Sequence, residues 1–257
     1  MVHREKVTTL FDSTGLADST ERLTRALIFC AVVMLTAAAS RADAQEYQGK
    51  LTVGVYTADD QVTSDFNARY SSHDWTGWLG WYGPQSDIRQ GRAGIEYDLK
   101  REGLVLVPSM QVASQSFVGG SVYSETGKTL YLVAGASRTN LRPYANLTFD
   151  PNESWQLGAG AHFGKSDSVA AFSIWDNRLH TGQQNSHLVI RHYLANARRL
   201  TLDLSYKSGH DDEGVYLRGS AEAMEYDWHR WFVKLARDQH VNFTDATMWR
   251  AGGGMRF

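Results

Sequence analysis

Trp249-Arg250-Ala251-Gly252-Gly253-Gly254-Met255-Arg256-Phe257 closes the chain, and its alternation decides the fold. Successive side chains on a β-strand point to opposite faces, so a period of two separates them cleanly. Extended, this stretch puts Trp249, Ala251, Gly253, Met255 and Phe257 on one face. Arg250, Gly252, Gly254 and Arg256 fall on the other. One face is apolar, and the other is basic and small.

The same alternation recurs upstream. Ala93, Ile95, Tyr97 and Leu99 oppose Arg92, Gly94, Glu96 and Asp98. Trp155, Leu157, Ala159, Ala161 and Phe163 oppose Gln156, Gly158, Gly160 and His162. Leu200, Leu202, Leu204 and Tyr206 oppose Thr201, Asp203 and Ser205. Val215, Leu217, Gly219 and Ala221 oppose Tyr216, Arg218, Ser220 and Glu222. Segments of about ten residues are the length of a tilted membrane strand. The pattern predicts strands over 47–58, 73–82, 90–99, 103–113, 117–124, 128–137, 141–149, 154–164, 167–176, 184–195, 199–208, 213–224, 229–239 and 247–257. That count is 14. It drops to 12 if the segments around Pro108, which lacks the N–H a central strand needs, are not wall strands. With the first strand running outward, Asp59–Ser72, Asn177–Gln183, Gly209–Asp212 and His240–Ala246 become outer loops. The connection Tyr82–Arg89 is then longer than an inner turn should be.

A soluble sandwich also alternates, but its apolar face packs a dense core of large side chains. Here small Ala and Gly sit beside the large apolar residues, which lipid tolerates. Trp75, Trp78, Trp81, Trp155, Trp175, Trp228, Trp231 and Trp249 gather near segment ends. That is the distribution expected where an amphipathic ring meets a membrane interface.

A terminal strand of this kind, ending on Phe257, resembles the closing strand of Gram-negative outer-membrane β-barrels, the porin-like class among them. The resemblance implies an all-β fold: a closed antiparallel transmembrane β-barrel of 12–14 strands in the bacterial outer membrane. It implies contact with outer-membrane lipid and lipopolysaccharide. It also implies that Trp249, Met255 and Phe257 form the signal read by the barrel-assembly machinery.

The front of the chain reads differently. Residues 26–39 (ALIFCAVVMLTAAA) form an apolar run too short for a membrane-spanning helix, which needs roughly 20 residues. Arg22 and Arg25 precede it and Ala42-Asp43-Ala44 follows. This is the layout of a secretory signal peptide over 1–44, leaving a barrel over 45–257. Cys30, the only cysteine, lies inside the leader, so no disulfide or thiolate metal site is expected. The remaining chain carries 21 basic and 23 acidic residues. That balance argues against a nucleic-acid partner.

Chemistry is expected on the inward face. Arg92, Glu96, Asp98, Arg142, Tyr144, His162, Asp203, Arg218, Glu222, Lys234, Arg250 and Arg256 are the candidate lumen-lining residues. Opposed basic and acidic rows would set a field across a pore and bias which polar solutes pass. The leading expectation is a small channel for polar solutes; the bland alternative is a braced wall that conducts nothing. A lipid-modifying acyl hydrolase or transferase would need a Ser/His/acid group near the outer rim. The nearest candidates are Ser71-Ser72-His73-Asp74 and His210-Asp211-Asp212-Glu213. An exopolysaccharide export component would use Tyr144, Tyr216 and Phe232 as stacking platforms. No cofactor and no metal are expected: His187 and His192, five apart on one strand, point to opposite faces. The run Asp211-Asp212-Glu213 reads as a solvated loop tip sooner than a divalent-ion site.

Overall fold

The computed structural model describes residues 47–58, 61–84, 89–142, 144, 150–163, 167–178, 181–194 and 198–257; the expected signal peptide lies outside them. The chain forms one continuous antiparallel sheet. Its segments are β1 (Gly49–Ala58), β2 (Gln61–Ser72), β3 (Trp75–Pro84), β4 (Gln90–Tyr97), β5 (Leu99–Arg101), β6 (Leu104–Ala113), β7 (Phe117–Gly127) and β8 (Leu130–Thr139). They continue as β9 (Ser154–Phe163), β10 (Asp167–Asp176), β11 (Gln184–Leu194), β12 (Arg198–His210), β13 (Tyr216–Trp228), β14 (Trp231–Asp238) and β15 (Met248–Arg256).

Each segment pairs with its chain neighbours except β4 and β5, both of which pair with β6, and β1 pairs with β15, so the sheet closes on itself. β4 and β5 are two parts of one stave. Glu96 stands opposite Ser109 and Leu99 opposite Leu106, so the register runs through the break without a bulge. The break lies opposite Pro108, which has no N–H to give, while the ladder from β6 to β7 runs straight through that residue. The wall therefore has 14 staves. Closure leaves no free sheet edge, which is what a strand-built wall in hydrocarbon requires.

The expected count of 14 was reached through two compensating differences. Residues 61–72, expected as a loop, form β2. Where 141–149 was expected as a further wall strand, β8 pairs directly with β9. The described residues 140–142 and 144 are not in a strand, and 145–149 lie outside the described residues.

The two differences restore the loop asymmetry. β1 starts and β15 ends at the same end of the barrel. The segments 73–74, 102–103, 128–129, 164–166, 195–197 and 229–230 connect strands at that end. The longer segments 85–89, 140–153, 177–183, 211–215 and 239–247 all join strands at the opposite end, together with the short 59–60 and 114–116. Short turns beside the termini and long loops opposite are the membrane-barrel arrangement. The connection after β3, too long for an inner turn, is on the long-loop side once β2 is counted.

The outward face is apolar along its middle. Leu79, Ile95, Met110, Val112, Leu132, Leu157 and Leu235 stand exposed there, Met110 to 64% and Leu132 to 62%. In water such a surface would favour aggregation, and it has the composition of a lipid-facing band. Two aromatic belts bound it. Trp81, Trp155, Trp175 and Trp249 point outward toward the long-loop end, with Trp155 and Trp175 stacked at 4.1 Å. Trp75, Tyr97, Trp228, Trp231 and Phe257 point outward toward the turn end, with Trp75 against Tyr97 at 4.8 Å. Rings with an apolar body and a polar edge suit both interfaces. Trp78 is the exception and faces the lumen.

Candidate functional site: the lumen

Directly opposed residues of an antiparallel pair share a face, so the register assigns every side chain once one contact across the barrel is known. Lys50 on β1 meets Glu225 on β13, three strands away, at 3.8 Å. That face is the lumen. It follows that even residues of β1, β4, β14 and β15 and odd residues of β2, β12 and β13 point inward.

The inward side chains enclose a cavity of about 610 Å³. It extends from Lys50 near the turn end to Tyr56, Asp65 and Arg250 toward the loop end. Charged groups dominate the arc from β14 through β1 to β4. Arg92 donates to Asp65 at 2.6 Å, and Tyr56 donates to the same carboxylate at 3.3 Å. The guanidinium of Arg250 lies over the Tyr56 ring at 5.1 Å, and Arg69 pairs with Glu96. The opposite wall is aromatic and apolar: Tyr131, Val133 and Ala170 pack together with Tyr123 and Phe172.

Two connections from the loop end fold into the opening. The β8–β9 connection sends Tyr144 against Phe117, ring centroids 4.3 Å apart and planes inclined by 22°. The same connection sends Asp150 to the wall, where it accepts from Asn185 at 3.1 Å. His187 holds this acid as well. Its Nε2 is 3.0 Å from Asp150 and its Nδ1 is 2.9 Å from Asp203 on the neighbouring strand. A ring donating from both nitrogens satisfies both carboxylates at once. Phe172 stacks on the same imidazole at 5.0 Å, which fixes its plane. The β14–β15 connection is tied by the buried ion pair of Lys207 and Asp238, with Lys207 donating to the His240 carbonyl at 3.3 Å. Phe243 of that connection is buried against it, 5.6 Å from the Lys207 ammonium. Beyond the wall, hydrogen bonding to Asp176 pushes the Arg178 guanidinium above the usual arginine pKa.

Near the turn end stands the densest charge cluster. Glu225 accepts from or pairs with Lys50, Arg199, Lys234 and Arg256, at 3.8, 3.3, 2.6 and 3.1 Å. Asp227 pairs with Arg199 at 2.8 Å and with Arg256. Phe232, fully buried, lies beneath three of these cations.

Most sequence-expected lumen residues are inside. Arg92, Glu96, Asp203, Lys234 and Arg250 line the cavity. Arg256 and His162 also point inward, the latter stacked on Tyr131 at 4.6 Å. Asp98 falls on the inner side at the β4–β5 break, paired with Lys100 at 3.1 Å. Tyr144 lines the cavity from a connection and not from a strand. Arg142 stands exposed in the same connection, away from the wall.

Two expectations are corrected. Arg218 and Glu222 lie on the outer face, because their odd-numbered neighbours Gly219, Ala221 and Ala223 oppose the inward Lys207, Ser205 and Asp203. Glu222 borders the cavity between Ala221 and Ala223, yet its carboxylate is 3.9 Å from Arg237, whose guanidinium lies over the outward Trp249. Arg218 lies over the ring of outward-facing Tyr216. The strand alternates as expected, but with small Ala and Gly inward and polar groups outward at its loop end. Nor do the lumen charges form opposed basic and acidic rows; they interleave as pairs.

Asp65, Asn67 and Arg69 escaped sequence reasoning because they lie on the unrecognised β2. Asp150 escaped because a loop residue gives no periodicity signal. Arg199 was legible, since it shares a face of its strand with Asp203; Glu225 and Asp227 were not, since they lie beyond the expected strand 213–224 and on the opposite parity from its expected inward residues.

The catalytic alternative finds less. Ser72 Oγ is 3.2 Å from His73 Nδ1, a contact between chain neighbours in a turn at the end beside the termini. The export alternative asked for free rings. Tyr216 faces outward, Phe232 lies under cations, and Tyr144 is stacked on Phe117.

No protein-family model matches the chain, and no curated protein matches it. Solved structures do. The outer membrane protein Omp33 of Acinetobacter baumannii aligns over 82% of this chain and 98% of its own, with a TM-score of 0.55 at 9% identity. The NanC porin covers 80% of this chain and 100% of its own, with a TM-score of 0.47 at 10% identity. The KdgM porin covers 81% and 99%, with 0.46 at 12% identity. The chain has the fold of outer-membrane β-barrel proteins.

Proposed function

We propose that this protein is a bacterial outer-membrane channel for small polar solutes, made with a cleaved signal peptide over 1–44. The observation that supports it is the polar cavity of about 610 Å³, lined by side chains from the turn end to the loop end. A wall of 14 strands is wider than the eight-stranded kind that side chains fill. The short-turn end would face the periplasm and the long loops the exterior, where lipopolysaccharide meets the upper belt. Trp249, Met255 and Phe257, on the outward face of the last strand, are the residues the barrel-assembly machinery would read. Selectivity would reside in Arg92, Glu96, Asp203, Lys234 and Arg250, together with the tethered Asp150.

Planar-bilayer recording of the refolded chain tests this reading. Steady single-channel steps are expected. Silence, accompanied by acyl release from phospholipid or lipid A, would instead favour a lipid-modifying enzyme.

A further inference from the structure

We propose that the turn end of the lumen holds a binding site for small anions, formed by Lys50, Arg199, Lys234 and Arg256 in front of Glu225 and Asp227. The proposal rests on the channel reading, and it names the class of solute that the channel favours.

Charge count and depth set this end of the lumen apart. Three other lumen ion pairs are matched one to one, Arg92 with Asp65, Arg69 with Glu96, and Lys207 with Asp238, and His187 stands between two acids. Here four cations share two carboxylates, and all four reach Glu225 itself. The cluster carries an excess of two positive charges. The carboxylates lie behind, their side chains 15% and 6% exposed. The cations stand in front, at 28% for Lys50, 27% for Arg199 and Lys234, and 18% for Arg256. What the opening presents to solution is therefore positive.

Among the described residues, the ion pairs of these four cations reach only Glu225 and Asp227. Lys50, Lys234 and Arg256 lie 4.4, 5.6 and 4.9 Å from the Phe232 ring centroid. A ring face attracts cations and helps to hold them together. It supplies no countercharge. Like charges crowded against a low-dielectric wall are costly unless an ion of opposite sign joins them. Field lines confined in a narrow opening raise the local concentration of such an ion. Two ammonium groups and two guanidinium forks offer donors suited to a carboxylate or a phosphate. Upstream, His187 sits between two acids, Asp150 and Asp203. The axis thus runs from an acid-rich stretch beside His187 to a cationic exit, which draws anions toward the turn end.

The test uses the refolded full barrel and Lys50→Gln/Lys234→Gln, which leaves Arg199 and Arg256 to match Glu225 and Asp227. The reversal potential in a potassium chloride gradient should have the sign of anion preference and should shift toward zero in the variant. Inorganic phosphate should raise the heat-unfolding midpoint of the wild type in detergent and lose that effect in the variant. Cation preference, an unshifted reversal potential, or equal phosphate stabilisation of both proteins overturns the site. A barrel that folds but conducts nothing defeats the channel reading alone, since the phosphate titration still reads the site. If the double variant does not fold, Lys50→Gln removes half of the excess and must shift both readouts in the same direction.

Discussion

The ring of Phe257 occupies the space that a β-carbon on Gly49 would need: two of its atoms stand 2.4 Å from that position. The two residues also exchange backbone hydrogen bonds, 2.7 Å from Gly49 N to Phe257 O and 3.0 Å in return. The last residue of the chain thus seats on the first residue of the first strand, and glycine is what lets it lie flat there. An aromatic ring covering a strand glycine also compensates for the packing that glycine omits.

Gly49→Val should displace the ring and weaken the seam. The folded, unheated band on a detergent gel should diminish, and the heat-unfolding midpoint should fall. Gly77, whose β-carbon would meet open space, is the control. Gly77→Ala should leave both readouts unchanged, and equal loss in the two variants would count against the seat.

Leu202 and Asp203 are neighbours on β12 with opposite surroundings. Leu202 opposes Ile190 and Met224 on the lipid face, while Asp203 lines the cavity. Leu202→Arg should cost about 2–4 kcal/mol, the penalty for a cation near the bilayer midplane. Asp203→Asn should leave unfolding in urea nearly unchanged and alter the reversal potential. Comparable destabilisation by both would contradict the assigned faces.

Glu222 and Glu225 lie on the same strand with opposite orientation. Glu222→Gln loosens an exposed pair with Arg237 and should change stability by less than about 0.5 kcal/mol, with selectivity intact. Glu225→Gln leaves Lys50 and Lys234 without a carboxylate, and Arg199 and Arg256 sharing Asp227 alone. Breaking an enclosed pair of this kind costs about 3–5 kcal/mol, and some of that returns here through lumen water. Chemical denaturation with parallel conductance separates the two outcomes.

His187→Ala removes the tether between the β8–β9 connection and the wall, leaving Asn185 as a remaining contact to Asp150. Single-channel conductance should rise and its noise increase as that connection loosens. Unchanged conductance would mean that the connection does not set the width of the opening.

The wall was largely legible in sequence, and the reasons for the misses are local. β2 reads Val62, Ser64, Phe66, Ala68 and Tyr70 outward against Thr63, Asp65, Asn67, Arg69 and Ser71 inward. The pattern is present, but Ser64, Asn67 and Ser71-Ser72 are also residue types that turns favour. Residues 141–149 alternate as well as β2 does, and only pairing partners separate the two. A period of two fixes which residues share a face, but not which face is wet. On β13 that ambiguity sent Arg218 and Glu222 to the wrong side, because Ala221 and Ala223 line the lumen there. The contact of Asp150 with His187 was out of reach for another reason. Asp150 meets His187 across 37 residues, and no local pattern reports so distant a contact.

The pairing of β1 with β15 has a consequence for biogenesis. The seam joins the two strands most distant in sequence, so nearly the whole polypeptide must be ordered before it can zip. Until then both outermost ladders hang open and invite foreign strands. Loop-closure entropy makes such a step slow and late. A chain cut short by a single stave would have no resting shape of its own, and completion of the cylinder is therefore the checkpoint between a usable molecule and debris.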